Sequence, residues 1–137
     1  MRVNLGADDL ARGTMVTPSW YPCEIVKYEE KAAGTDRSTN CLVYFKILTG
    51  EFEGAQGRLL MNEKALGFGK NFFLAMGAKY SMNDKGKKEL KGIELNAGLV
   101  GKKLDVYFVR GTSSKGNDFN DPKDFAPLGV NSGFKAA

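Results

Sequence analysis

The chain contains no histidine, and its only two cysteines, Cys23 and Cys41, are far apart with no C-x-x-C spacing. A structural zinc centre needs a full set of nitrogen and sulfur ligands, so two thiols without an imidazole leave it unmade. The same lack removes the commonest general base at neutral pH, and with it hydrolysis by the familiar serine or cysteine triad. Long apolar runs are missing too: none approaches the roughly 20 residues that a membrane span requires. The opening "MRVNLGADDLARG" has acidic residues where a signal peptide would have its hydrophobic region. A cytoplasmic protein with two reduced, buried thiols is expected, needing no metal and no cofactor and making no membrane contact.

What is present fits one domain over residues 1–137, with a polar lead-in over 1–15 and a short tail over 130–137. Apolar residues make up 42% of the chain, enough for a core, and the net charge is +4. The excess is concentrated between Lys79 and Lys103, where seven lysines (79, 85, 87, 88, 91, 102, 103) face Asp84, Glu89 and Glu94. A solvated lysine-rich loop accounts for this as well as a phosphate-facing patch does.

Seventeen glycines punctuate the chain into short elements, as in an all-β domain with many turns. "SWYPCEIVKYEEKA" predicts a first strand, roughly Tyr21 to Glu29, with Tyr21, Cys23 and Ile25 in one phase and Val26 and Tyr28 in the other. The polar "KAAGTDRSTN" reads as a long mobile loop. "CLVYFKIL" is the second strand and "RLLMN" the third. Asn62 can cap a helix, and "EKALGFGKNFFLAMGA" carries an apolar stripe of Leu66, Phe73 and Met76, with Phe72 nearby and Gly77 as its stop. Gly67 and Gly69 weaken the first half of that helix. "YSMNDKGKKELKG" is a loop or a weak hairpin. "LVGKKLDVYFVRG" is the strongest late strand, "TSSKGND" a turn, and "FNDPKDFAPLG" a last extended segment interrupted by Pro122 and Pro127.

Three strands, a helix and two strands is the order of an OB-fold, a five-stranded Greek-key barrel with a helix between strands three and four. Alternation puts Val43, Phe45, Ile47, Leu104, Val106 and Phe108 in its core. The opposite phase of strands two and three lies on the face where such barrels bind oligonucleotides. The loops "KAAGTDRSTN" and "GTSSKGNDFN" flank it.

The segments "GTMVTPSWYPCEI", "NCLVYFKI", "LVGKKLDV" and "NDFNDPKDFAPL" together resemble small phage single-stranded DNA-binding proteins and their uncharacterised relatives. The resemblance runs from about Gly13 to Gly129. It implies an OB-fold that coats unpaired DNA during bacteriophage replication or recombination, in the host cytoplasm, alongside replication or recombination proteins. Many such proteins end in an acidic tail that recruits partners. This chain ends "VNSGFKAA", so recruitment through the tail is not implied.

Binding single strands without sequence preference needs flat π-faces for bases and mobile cations for phosphates. Tyr44 and Lys46, two apart on one strand face, supply both. Tyr107 and Tyr28 are the matching outward aromatics of the late and first strands. Lys27, Lys31, Arg37, Arg58, Arg110 and Lys115 lie at strand ends or in loops where they can follow a backbone. Trp20 suits core packing or the closing of a barrel end better than base stacking. "GFGK" is not a phosphate loop, because Lys70 is followed by Asn71 and the upstream glycine is missing. "DFNDPKD" is not a calcium loop, because Pro122 occupies a ligand position. No enzyme is expected. The competing reading is an OB-fold interaction module that holds a protein partner, or a second copy of itself, on the same aromatic face; a magnesium-dependent nuclease is a distant third.

Overall fold

The computed structural model describes residues 13–34 and 37–135. Its main sheet has five antiparallel strands: β1 (Ser19–Ala32), β2 (Thr39–Ile47), β3 (Gln56–Asn62), β6 (Lys103–Thr112) and β7 (Asp118–Pro127), in the order β3-β2-β1-β6-β7. Between β3 and β6 come a helical segment and a separate hairpin of β4 (Lys79–Met82) and β5 (Lys88–Lys91). Among the described residues the protein is therefore mostly β, with a helical segment directly after the third strand, as the order of sequence signals implied, and a short 3-10 turn (Ala97–Leu99) before β6. The two polar loops are shorter than expected, because the β1–β2 and β6–β7 ladders run on into them as far as Ala32↔Thr39 and Thr112↔Asp118.

Alternation decides what is buried. Val43, Phe45, Ile47, Leu104, Val106 and Phe108 are all essentially inaccessible and pack with Cys23 and Ile25 from β1. Cross-strand partners share a face, and Ile25 stands beside Phe45 and Cys23 beside both Ile47 and Leu104. Burial, and then the Asp105 carboxylate, push the Cys23 thiol well above its ordinary value, which keeps it neutral and unreactive.

The helical segment begins where Asn62 accepts a hydrogen bond from the Lys64 amide at 2.9 Å. Its first half, Glu63–Gly69, is 3-10 and breaks at Ala65 (φ −138°, ψ 41°). Gly69 lies against the Met61 sulfur, which would have to move to admit a Cβ, so this glycine serves packing as well as weakening the helix. The second half, α1 (Lys70–Ala75), packs Phe72 against both Phe45 and Phe125, with ring centroids 5.9 and 5.5 Å away. Gly77 (φ +103°) ends α1, the Ala78 amide donating to Phe73 and the Gly77 amide to Leu74 in a Schellman arrangement.

The edge strands β3 and β7 approach each other at Gly57. A Cβ there would lie 2.6 Å from the Phe108 ring and 2.7 Å from the Asn120 carbonyl oxygen, so only glycine fits. Asn120 is buried and its amide satisfies three backbone groups. Its Nδ2 donates to the Gln56 carbonyl at 2.9 Å and the Thr14 carbonyl at 2.8 Å, and its Oδ1 accepts from the Val16 amide at 3.0 Å. Asn120→Asp keeps the shape but turns a carboxylate toward two carbonyls. It is expected to lower stability in urea unfolding by about 2–3 kcal/mol, at least as much as Asn120→Ala. Wild-type stability for the aspartate variant would show that the seam does not depend on those donors.

Candidate nucleic-acid interface

The outward phase of β1, β2 and β3 assembles the site. A single-residue bulge at Val26 shifts the β1–β2 register between Ile25 and Lys27, so that Lys27 stands beside Tyr44 and Tyr28 beside Val43. Tyr44 in turn stands beside Arg58 of β3. Three adjacent strands thus line up Arg58, Tyr44 and Lys27 in one row. The next row holds Gln56, Lys46, Glu24 and Lys103. On the other side lie Leu60, Leu42 and Glu29, followed by Asn62, Asn40 and Lys31.

Tyr44 is held on two sides. Its hydroxyl donates to Glu29 Oε1 at 2.6 Å, and the Lys27 ammonium sits 5.3 Å from its ring centroid. Lys27 also reaches Glu29 at 3.5 Å. The hydrogen bond from Tyr44, aided by the charges of Lys27 and Lys31, holds the Glu29 carboxyl below the usual carboxylate range despite some desolvation. Arg58 and Lys46 are exposed.

Five of the expected residues therefore meet on one surface: Lys27, Lys31, Tyr44, Lys46 and Arg58. Tyr28 does not. The bulge turns it to the core side, where it packs against the buried cluster and its hydroxyl donates to Glu30 at 2.8 Å. Burial first, then Cys41 and Glu30, raise its phenol above the ordinary value. Tyr107 faces outward as expected, but it pairs with Trp20, edge to face at 5.6 Å, three rows beyond Tyr44 and on the order of 20 Å along the strands. Trp20 is accordingly a surface partner of Tyr107 and no part of the buried core.

Between the two aromatic groups lies Asp105, buried and roofed by the C-terminal turn. Its carboxylate accepts from the amides of Gly129 (2.9 Å), Asn131 (2.8 Å) and Ser132 (2.7 Å), and from the Ser132 hydroxyl (2.7 Å). Of the residues expected to form a short tail, Asn131, Ser132 and Phe134 fold back into this turn. Tyr107 is thus cut off from the Tyr44 row.

Arg110 lies elsewhere again, lining a shallow cleft with Met15, Val16, Thr17 and Pro18. Arg37 is exposed in the β1–β2 connection with φ +60°, and Lys115 is exposed in a tight turn closed by hydrogen bonds between Ser113 and Asn117.

Sequence reasoning missed Glu29, whose carboxylate is central to the site. A clue was available: in "KYEEK" the acids sit between the lysines that flank Tyr28, and only the register tells which acid meets Tyr44. Among the described residues, no helix is long and apolar enough to cross a membrane, and no cluster of acidic or thiol side chains has the makings of a metal site. No family model matches the sequence, and no curated protein matches it either.

Removing the Tyr44 hydroxyl should release Glu29. In Tyr44→Phe, an NMR titration is expected to find the Glu29 carboxyl returning upward toward its ordinary value. Because the folded-state value lies below the unfolded one, this group's contribution to stability is complete above the ordinary carboxylate range. It is lost as pH falls through the lowered value, and the phenylalanine variant should lack that part of the acid sensitivity.

Proposed function

We propose that the chain binds single-stranded DNA without sequence preference, coating unpaired strands during phage replication or recombination, through the outward face of an OB-type barrel. The reading is supported most by the Arg58–Tyr44–Lys27 row, which sets an aromatic ring between two cations on adjacent strands. The barrel assignment draws on the strand order, the helical segment after β3 and the meeting of β3 with β7 at Asn120.

Magnitudes favour an exchange at Tyr44. A lysine over an exposed ring is worth about 0.5–1 kcal/mol. A base stacked on the ring is worth about 1–3 kcal/mol. An arriving base therefore displaces Lys27 from the ring, and the freed ammonium turns to a phosphate. Arg58 and Lys46 hold the backbone on either side. Duplex DNA offers no free base face, so single strands are preferred. No bond is made or broken, so oligonucleotides should be recovered intact from binding mixtures containing magnesium.

The test is a salt-dependent titration against oligo-dT, with folding checked by circular dichroism. Tyr44→Ala should weaken binding by about 1–3 kcal/mol, and Tyr44→Phe by much less, since the ring survives. Lys46→Ala should reduce the slope of log affinity against log salt by about 0.7, the share of one phosphate contact on a single strand. Two folded alanine variants that bind like wild type would remove the DNA site from this face.

A protein partner is the second reading, favoured by Leu60, which is 56% exposed beside Leu42 and the Glu29 carboxylate. Glu29→Gln separates the two. A negative charge in a phosphate path is a cost, so the glutamine variant should bind oligo-dT several-fold more tightly at low salt, and the advantage should shrink as salt rises. Unchanged DNA affinity would favour the protein partner.

A further inference from the structure

The β4–β5 hairpin stands outside the five-stranded sheet and carries an aromatic–cation cluster of its own. Strand alternation puts Tyr80 and Met82 on one face, opposite Leu90 and Lys88. Tyr80 is 47% exposed and Met82 63% exposed, and neither belongs to the buried cluster. Two ammonium groups converge on the Tyr80 ring. Lys88 of β5 lies 5.3 Å from its centroid, and Lys70, at the first turn of α1, lies 5.7 Å from it. No carboxylate pairs with Lys70 or Lys88 among the described residues, whereas Lys27 is paired with Glu29 and Lys91 with Glu89. An exposed ring between two uncompensated cations repeats the chemistry of the Tyr44 row without its acidic neighbour. It is also assembled from two separate elements, the hairpin and α1.

We propose that this cluster is a second single-strand contact, in which Tyr80 stacks on a base and Lys70 and Lys88 bind the flanking phosphates of a strand that already occupies the sheet face. The inference rests on the single-strand reading of that face. A nucleic-acid strand suits the cluster better than an apolar protein surface, because burying two unpaired ammonium groups without an anion is costly. Phosphates supply the anions and bases supply the flat partner.

The consequence is a dependence on oligonucleotide length. One OB-type face covers on the order of 4–16 nucleotides, so an oligo-dT of about 8 fits the sheet face alone and one of about 30 reaches the hairpin as well. On the longer strand Tyr80→Ala is expected to weaken binding about tenfold, while Tyr80→Phe binds like wild type. The Lys70→Ala/Lys88→Ala variant should lower the salt slope on the longer strand by about 1.4. On the short strand all three should match wild type. If the Tyr80→Ala and double-lysine variants bind the longer strand normally while Tyr44→Ala is weakened, the hairpin contact is wrong and the sheet-face reading stands. Equal losses on both lengths would make the hairpin part of the primary site and overturn a separate second contact. Loss of binding to phosphatidylserine vesicles with DNA binding intact would assign the cluster to a membrane surface instead. A wild-type protein that binds neither strand overturns the function itself, and this inference with it.

Discussion

The close approach of β3 to β7 is the constraint on which the rest of the architecture depends. The five-stranded ladder has two edges, and a side chain rather than a continuous ladder ties them together: the Asn120 amide reaches Gln56 on β3 while its own backbone belongs to β7. Gly57 permits the approach because a Cβ would strike Phe108 and the Asn120 carbonyl. The same amide fastens Thr14 and Val16, so the chain segment before β1 is held at the seam. With the edges brought together, the inward phases of all five strands converge on Phe45, Phe72 and Phe125, and the outward phase becomes a curved surface. An unpaired edge would also be a template for association with another chain.

A single inserted residue then decides what that surface carries. Without the bulge at Val26, strict alternation would keep Tyr28 on the outer face and send Lys27 inward, a buried lysine with no partner in place of a tyrosine whose ring packs on the core. The bulge reverses both. It places Lys27 on the Tyr44 ring and leaves Glu29 within reach of the Tyr44 hydroxyl. The site is thus a consequence of register as much as of composition, because the same residues in an unbulged strand would bring Tyr44 a different neighbour.

This explains what could and could not be seen in the sequence. The core phases of "CLVYFKIL" and "LDVYFVR" were legible because period-two alternation of large apolar residues has one physical meaning when one face is buried. The Asn62 cap and the Gly77 stop were legible because their chemistry is local. The side of the sheet on which Tyr28 lies was not, since a bulge in β1 has no composition signal of its own. Nor could the isolation of Tyr107 be read: it comes from Asp105, whose partners are amides of the C-terminal turn some two dozen residues away. The stretch after Gly129 looks like a loose tail because Asn131 and Ser132 hold Asp105 largely through backbone amides, donors that every residue other than proline has.

The placement of charge links the two surfaces. On the sheet face Glu29 and Glu24 lie among the cations, and the Lys27 ammonium is shared between a carboxylate and a ring. On the proposed reading, such a face would attract phosphates weakly from a distance and gain most after contact, when a base takes the ring and Lys27 is released. Around Tyr80, Lys70 of α1 and Lys88 of β5 carry charge with no acidic partner among the described residues, and Lys85 and Lys87 add to it from the hairpin turn. Free cations act over roughly a Debye length, about 8 Å at physiological salt, and so bias the first encounter. On the proposed single-strand reading, the two surfaces would divide the work of binding. The hairpin would supply long-range attraction that salt screens, and the Tyr44 row short-range stacking that salt leaves largely intact. The modest net charge of +4 would be enough for this division because the lysine excess is concentrated between Lys79 and Lys103.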